Sequence, residues 1–353
     1  MKYSIHDEEK VLEILQQYGF KPFRYKQIEN AIYKNFIKDF NEINTVSKDT
    51  REILNKHFFF QELELVDRQN SSNNQTTKLL WKTRDGHFVE SVIMRHLSGR
   101  NTLCVSSQVG CAMKCSFCAT GKLGLTRNLD FYEIVEQILY VSDILSQNGE
   151  GGLRNIVYMG MGEPFNNYAE VKKSIEIALD QKKINLANRR VTISTCGIVP
   201  MIKEFAKDFP QTSLAISLHA PNDKIRNELM PVNKAYPLEK LIGALDEYIA
   251  STNKKIFYEY IMIRDLNDLP EHAEQLGQLL KHQKIAHVNF IPYNPGEAAS
   301  GLTYEATNKA RIIKFQKILE KYGIPSTIRA TLGDDIDAAC GQLAAKAKNK
   351  NKL

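Results

Sequence analysis

The hydrophobic pattern changes period twice along the chain. Up to residue 60 apolar positions recur at three and four residues: Val11, Leu12, Ile14 and Leu15 form one stripe, and Tyr25, Ile28, Ala31 and Ile32 another. Such spacing gathers apolar side chains on one face of a helix. A third helix is expected from Ser47, whose hydroxyl suits an N-cap, with Ile53 and Leu54 on its buried side. Residues 61–97 alternate instead, through Leu63 and Leu65, Leu79 and Trp81, then Phe88, Val89, Val92 and Met94. Antiparallel strands follow from that pattern, joined by the polar run Gln69–Gln75 and a tight turn at Asp85-Gly86.

From residue 102 onward, strand-length apolar runs take turns with amphipathic segments. Strands are expected at 102–109, 153–159, 190–195, 212–218, 255–262 and 286–292. The clearest helix carries Phe131, Ile134, Val135, Ile138, Leu139, Val141 and Ile144 on one face. Others are expected near 167–181, 199–208, 237–250, 269–283 and 305–322, and Pro325-Ser-Thr-Ile-Arg reads as a further strand. Six βα units imply a parallel sheet with helices outside. Eight would close a full barrel, so the expected fold is α/β: a partial (βα)6 barrel, open on one side, with a small helical N-terminal domain and a short antiparallel β extension. The division is then 1–60 helical, 61–97 antiparallel extension, 98–345 barrel core and 346–353 a basic tail, expected to be disordered. Chemistry should gather at the C-terminal ends of the strands.

Composition narrows the class. The chain has 353 residues, 43% hydrophobic and 25% charged, which is ordinary for a soluble globular protein. It holds no run of about 18 apolar residues, so no membrane span is expected. Its N-terminus lacks the apolar centre of a signal peptide, and a cytoplasmic location is expected. A net charge of +6 permits a nucleic-acid partner without demanding one. Arg24, Lys26, Lys34 and Lys38 interleave with Tyr25, Tyr33 and Phe36. They read either as a solvated face over aromatic core positions or as contacts to RNA phosphates; the sequence leaves both open.

The chemistry centres on Cys111-Ala-Met-Lys-Cys115-Ser-Phe-Cys118. Thiolates so spaced, in a short irregular stretch, can hold three irons of one [4Fe–4S] cluster and leave the fourth open to a small molecule. Six cysteines in a chain of this size and composition do not make a secreted disulfide scaffold. No second cysteine or histidine pair follows to complete a zinc site. The spacing resembles the signature of the radical S-adenosylmethionine (SAM) enzymes, in which the open iron chelates SAM and one electron releases a 5′-deoxyadenosyl radical.

Polar residues stand at four further strand ends. Met159-Gly-Met-Gly162-Glu163-Pro has glycines that let a ligand approach the backbone and a carboxylate that can accept from an ammonium group. Ser194-Thr-Cys196-Gly, Ser217-Leu218-His219 and Tyr293-Asn294-Pro close the other ends. Each alone reads as a turn or cap; together they form a converging ring. Cys196 is not assigned to the cluster. Cys104 lies seven residues before the triplet, and Cys340 follows Asp334-Asp-Ile-Asp-Ala-Ala, a turn leading into a short helix.

Three stretches, Ser106–Gly121, Met159–Pro164 and Asp334–Leu343, together resemble the RlmN/Cfr family of radical SAM RNA adenine methyltransferases over nearly the whole chain. The resemblance implies that Cys111, Cys115 and Cys118 hold the cluster, and that Gly162, Glu163, Ser194, Ser217, Leu218, His219 and Asn294 contact SAM. It implies that Cys340 is itself methylated, that Cys104 resolves a protein–RNA adduct to leave a Cys104–Cys340 disulfide, and that Glu90 accepts the ring proton. It implies two SAM molecules for each turnover, one as methyl donor and one as radical source, and a cytosolic one-electron donor. The implied substrates are large-subunit rRNA and the tRNA adenosine beside the anticodon, methylated at carbon 2; a monomer is expected. Carbon 8, the Cfr position, is the rival outcome, and a non-catalytic iron–sulfur protein that binds RNA or senses redox state is the rival from another class. The run through the cysteines and Phe290-Ile-Pro-Tyr-Asn sits nearer the RlmN branch.

Overall fold

The computed structural model describes residues 2–283, 285–294 and 304–345; the basic tail 346–353 lies outside the described residues. The N-terminal region holds three helices, α1 (Glu8–Gln17), α2 (Phe23–Tyr33) and α3 (Lys48–His57). Two short strands, β1 (Tyr3–Ser4) and β2 (Phe58–Phe59), pair in parallel across its ends. Ser47 caps α3 by accepting from the Thr50 N–H. The predicted stripes meet in one apolar cluster, which also takes in Val135 and Ile177 from the core that follows. Lys38 pairs with Asp143 at 2.9 Å, and Lys34 donates to the Gln181 carbonyl. Two of the four basic positions therefore hold this region to the core, and Lys26 stays exposed.

The antiparallel strands β3 (Leu63–Asn70), β4 (Thr76–Thr83) and β5 (Phe88–Arg95) form a meander whose last strand pairs with β6 (Asn101–Cys104). Beyond β6 come β7 (Gln108–Gly110), α4 (Ala119–Lys122), β8 (Leu125–Asn128), α5 (Phe131–Gln147), β9 (Leu153–Tyr158) and α6 (Tyr168–Leu179). Next are β10 (Val191–Thr195), α7 (Val199–Asp208), β11 (Ser213–Ser217), α8 (Asp223–Leu229) and α9 (Leu238–Thr252). The order ends with β12 (Ile256–Met262), α10 (Pro270–Leu280), β13 (Ala286–Pro292), α11 (Lys309–Lys321) and β14 (Ser326–Ile328). One ten-stranded sheet runs β14-β13-β12-β11-β10-β9-β6-β5-β4-β3. Its members from β6 to β14 are parallel, so the α/β barrel core has its six βα strands plus β14. The 61–97 strands continue that same sheet edge to edge.

The strand expected at 102–109 splits in two. The Gln137 side chain accepts from the Ser106 N–H at 3.0 Å and donates to its carbonyl at 3.1 Å, replacing the bonds of a neighbouring strand. The chain then turns, and β7 pairs with β8 instead. This departure starts the cysteine loop at the C-terminal end of β6. Among the described residues, no helix is long and apolar enough to cross a membrane.

Candidate active site at the strand ends

The loop between β7 and β8 holds Cys111, Cys115 and Cys118. Gly110, at φ +77°, has no room for a side chain: a Cβ there would sit 1.8 Å from the Gly124 carbonyl oxygen. Cys111 N–H donates to that carbonyl at 2.8 Å, and Cys118 N–H to the Cys115 carbonyl at 3.2 Å. Ser116 N–H reaches the Leu229 carbonyl at the end of α8. The Phe117 ring meets His219 edge-on at 4.8 Å between centroids. The three thiols line one cavity of about 150 Å³ with Gly162, Glu163, Ser194, Ser217 and His219. Among the described residues no three cysteine, histidine or carboxylate side chains close on a single ion. A cubane asks for something different, one thiolate on each of three irons. Burial pushes the Cys111 thiol up to about 12 and Cys115 well above its ordinary value. Thiols held neutral by burial become ligands when positive irons displace their protons. The donor set, its loop and the adjoining polar wall fit such a cluster with an open iron.

That wall is built by side chains for which the sequence alone suggests no role. Ser106 Oγ accepts from Met161 N–H at 2.8 Å and donates to the Glu90 carbonyl. Gln108 Oε1 accepts from Glu163 N–H at 2.8 Å. The run before the cysteines thus sets the turn after β9. A Cβ on Gly160 would lie 2.6 Å from the Val105 carbonyl oxygen, and one on Gly162, at φ +100°, 2.6 Å from Gln108 Cβ. The protein's own packing requires both glycines, where the motif alone suggests ligand approach.

Glu163 is buried, and its oxygens accept from Phe165 N–H at 3.0 Å and Cys196 N–H at 2.8 Å. It ties the end of β9 to that of β10 and keeps lone pairs for an ammonium group in the cavity. Burial raises its affinity for a proton, and these N–H bonds oppose that. His219 Nδ1 accepts from Ile261 N–H at 3.0 Å, so its Nε2 carries the proton. Burial, with the Arg226 charge nearby, drives His219 down to about 3 and keeps it neutral. Leu218 is different. Its side chain is core, its N–H donates to the Glu259 carbonyl and its carbonyl accepts from Arg226. Cys196, distant in sequence, lines the cavity.

A second cavity of about 330 Å³ adjoins the first, sharing Cys118, Met159, Arg329 and Cys340. It brings Cys104, at the end of β6, and Cys340 to one chamber, with Asn294 on its wall. Among the described residues no two cysteines are bridged. Burial pushes Cys104 up to about 12, as does the neighbouring Cys340 thiol; the Arg329 guanidinium acts the other way on both. Arg329 is itself held by Glu259 at 3.1 Å. Glu90 is buried beside this chamber but is not on its wall: Oε2 accepts from Ala344 and Ala345 N–H at 3.0 and 3.1 Å.

Arg226 on α8, fully buried, carries no sequence signal. Its guanidinium donates to the Cys196, Leu218 and Ser217 carbonyls at 2.7, 3.2 and 3.3 Å and to Asn233 Oδ1 at 2.8 Å. Asn233 passes the contact to Asp223 at 2.8 Å. One cation thereby fastens the ends of β10 and β11 where the polar ring forms. Arg226→Met is expected to lower unfolding stability by about 3 kcal/mol, because buried carbonyls lose their donors. Denaturant titration of the two proteins checks it; an unchanged midpoint would assign the ring's order to other contacts.

The chain is similar to known proteins over nearly its whole length. Residues 6–59 match the model of the ribosomal RNA large subunit methyltransferase N-terminal domain, and residues 105–278 that of the radical SAM superfamily. The chain is 43% identical, over 99% of its length and 96% of the relative's, to the probable dual-specificity RNA methyltransferase RlmN 2 of Protochlamydia amoebophila (strain UWE25). It is also 43% identical to the probable dual-specificity RNA methyltransferase RlmN of Aquifex aeolicus (strain VF5), over 95% of this chain and 94% of that one. The crystal structure of a radical SAM methyltransferase from Sphaerobacter thermophilus superimposes with a TM-score of 0.93 at 39% identity, covering 98% of this chain and 100% of that one.

Proposed function

We propose that this chain, which belongs to the RlmN family of radical SAM RNA methyltransferases, methylates carbon 2 of an adenosine in large-subunit rRNA and of the tRNA adenosine beside the anticodon. The observation that carries the reading is the shared chamber: Cys104 and Cys340 line one cavity, and Cys118 of the cysteine loop lines it too. A ring carbon between two nitrogens is too electron-poor to attack a methyl donor, so a protein thiol must take the methyl first. Cys111, Cys115 and Cys118 would hold a [4Fe–4S] cluster, which would supply the one-electron chemistry by which SAM becomes a radical source.

The chain's own residues do the rest. Gly162, Glu163, Ser194, Ser217, Leu218, His219 and Asn294 orient SAM, Glu163 accepting from its ammonium and Leu218 acting through the backbone of the strand end. Cys340, exposed at the chamber wall, accepts a methyl group by displacement on one SAM, and a second SAM serves as radical source. Arg329 stabilises thiolate at Cys340 and Cys104 in turn. Glu90, set just behind the chamber wall, is the base that accepts the ring proton. The radical source takes a hydrogen from the methyl on Cys340, that carbon joins the adenine ring, and the adduct gives up one electron and the ring proton; Cys104 then attacks the Cys340 sulfur and breaks its bond to that carbon, which takes up a proton to become the methyl group, leaving a disulfide that a reductant must open before the next turnover. The target base leaves its stack to reach the chamber. The enzyme works as a cytoplasmic monomer with a cytosolic one-electron donor.

Mass spectrometry of nucleosides from RNA treated with the reduced, cluster-loaded enzyme tests this. The expected product is 2-methyladenosine from both rRNA and tRNA. Methylation at carbon 8 would overturn the position, and product from rRNA alone would remove the tRNA substrate.

A further inference from the structure

Lys78 sits in the middle of β4, where a solvent-facing polar residue would be ordinary, yet its side chain is only 9% exposed. Lysine is seldom buried so far without a partner. The ammonium lies 3.3 Å from Glu90 Oε1 on β5 and donates to the Asp337 carbonyl at 3.4 Å. Glu90 Oε2 accepts the N–H groups of Ala344 and Ala345. Cys340 lies between these two anchor points. A single buried ion pair thus grips the segment that carries the thiol on both sides of it.

The segment has little regular structure of its own, a single 3-10 turn at Asp334–Ile336. Asp337 and Ala345 both adopt left-handed backbone, at φ +52° and +50°. That conformation is unfavourable for residues other than glycine and persists where surrounding contacts over-determine it. At Asp337 the carbonyl accepts from Lys78 while the N–H closes the turn on the Asp334 carbonyl, and at Ala345 the N–H donates to Glu90, so the one pair reaches both positions. On the opposite side Ala119 N–H donates to the Gly341 carbonyl at 2.7 Å and Thr120 Oγ1 to the Leu343 carbonyl at 2.6 Å, next to Cys118. The loop is pinned between the sheet extension and the cysteine loop.

We propose that Lys78 and Glu90 form a clamp that positions Cys340 in the chamber, with Lys78 a positioning residue for the reaction. The functional consequence rests on the reading of Cys340 as the methyl acceptor. The 61–97 strands then serve to carry the clamp into the same sheet as the barrel. Glu90 also gains a role separate from proton transfer.

Hydrogen–deuterium exchange on anaerobically purified, cluster-loaded protein tests the clamp. In Lys78→Met, exchange across residues 337–345 is expected to rise about tenfold or more, since the Asp337 carbonyl loses its donor and Glu90, which holds the Ala344 and Ala345 N–H groups, loses the cation that fixes it, with strands of the core unchanged. Lys78→Arg should restore protection, and kcat should fall in Lys78→Met without a change in KM for RNA. Glu90→Gln keeps the side-chain volume and is read in the same way, and it decides the matter if Lys78→Met does not fold. Protection of 337–345 at wild-type level in the folded variants overturns the clamp, even where Glu90→Gln is inactive as a lost base would make it. Absence of methyl-Cys340 in wild-type protein would overturn the methyl-acceptor reading instead, and leaves the exchange result standing.

Discussion

Cys340→Ala should yield neither methyl-cysteine nor methylated RNA, whereas Cys104→Ala should stall as a covalent protein–RNA conjugate. The two thiols face one chamber, and their roles are sequential. Without Cys340 no thiolate is placed to take a methyl group, and turnover should fall by three orders of magnitude or more, roughly the scale on which loss of a nucleophile acts. Without Cys104 the methyl still reaches Cys340 and still joins the base, but no second thiol is there to attack. The conjugate would run as a slow band on a denaturing gel and vanish on RNase treatment. Cys104 suits a late role: burial holds it as a neutral thiol, and Arg329 favours its thiolate. Normal turnover by Cys104→Ala, or two dead variants with no conjugate, would return Cys104 to an ordinary core position at the end of β6.

Much of this arrangement is legible in the chain because local period reports element type. The strands predicted at 286–292 and 255–262 match β13 and β12 to within one residue, and the helix predicted at 199–208 matches α7. Those segments have an unbroken pattern and clear turn residues at both ends. Short elements escape for the opposite reason. α8 and β8 are too brief to establish a period, and β7 separates from β6 only because Gln137, some thirty residues on, captures Ser106. Site residues divide the same way. The cysteine triplet announces itself by spacing, since a cluster needs several donors on one short loop. Arg226 and Lys78 do not: each acts through backbone carbonyls or a carboxylate brought in by the fold, and a lone cation on a helix or strand has no spacing to read. Family resemblance points to Glu90, but its grip on Ala344 and Ala345 spans 254 and 255 positions of chain, beyond any local pattern.

Cys115→Ala should strip the protein of its cluster. Cys115 is the middle donor of the triplet, and its loop is held rigidly on both flanks: Cys118 N–H is bonded to its carbonyl, and Ser116 is tied to Leu229 and Tyr304. Such a loop cannot readily bring another side chain to the vacated position. Gly121 packs so closely that a Cβ there would lie 3.2 Å from the Cys115 carbonyl oxygen, so α4 blocks a shift from that side. Iron and sulfide in anaerobically purified protein should therefore fall from about four each per chain to near zero. Cys196→Ala is the informative control, because Cys196 lines the same cavity from the end of β10. Its backbone is already engaged, with N–H on Glu163 and carbonyl on Arg226, and its thiol lies on the cavity wall beyond the cysteine loop. Iron content in Cys196→Ala should match wild type. If Cys115→Ala retained its iron while Cys196→Ala lost it, the cluster would be held by a donor set that bridges the cysteine loop and β10, and the open iron would face a different wall of the cavity.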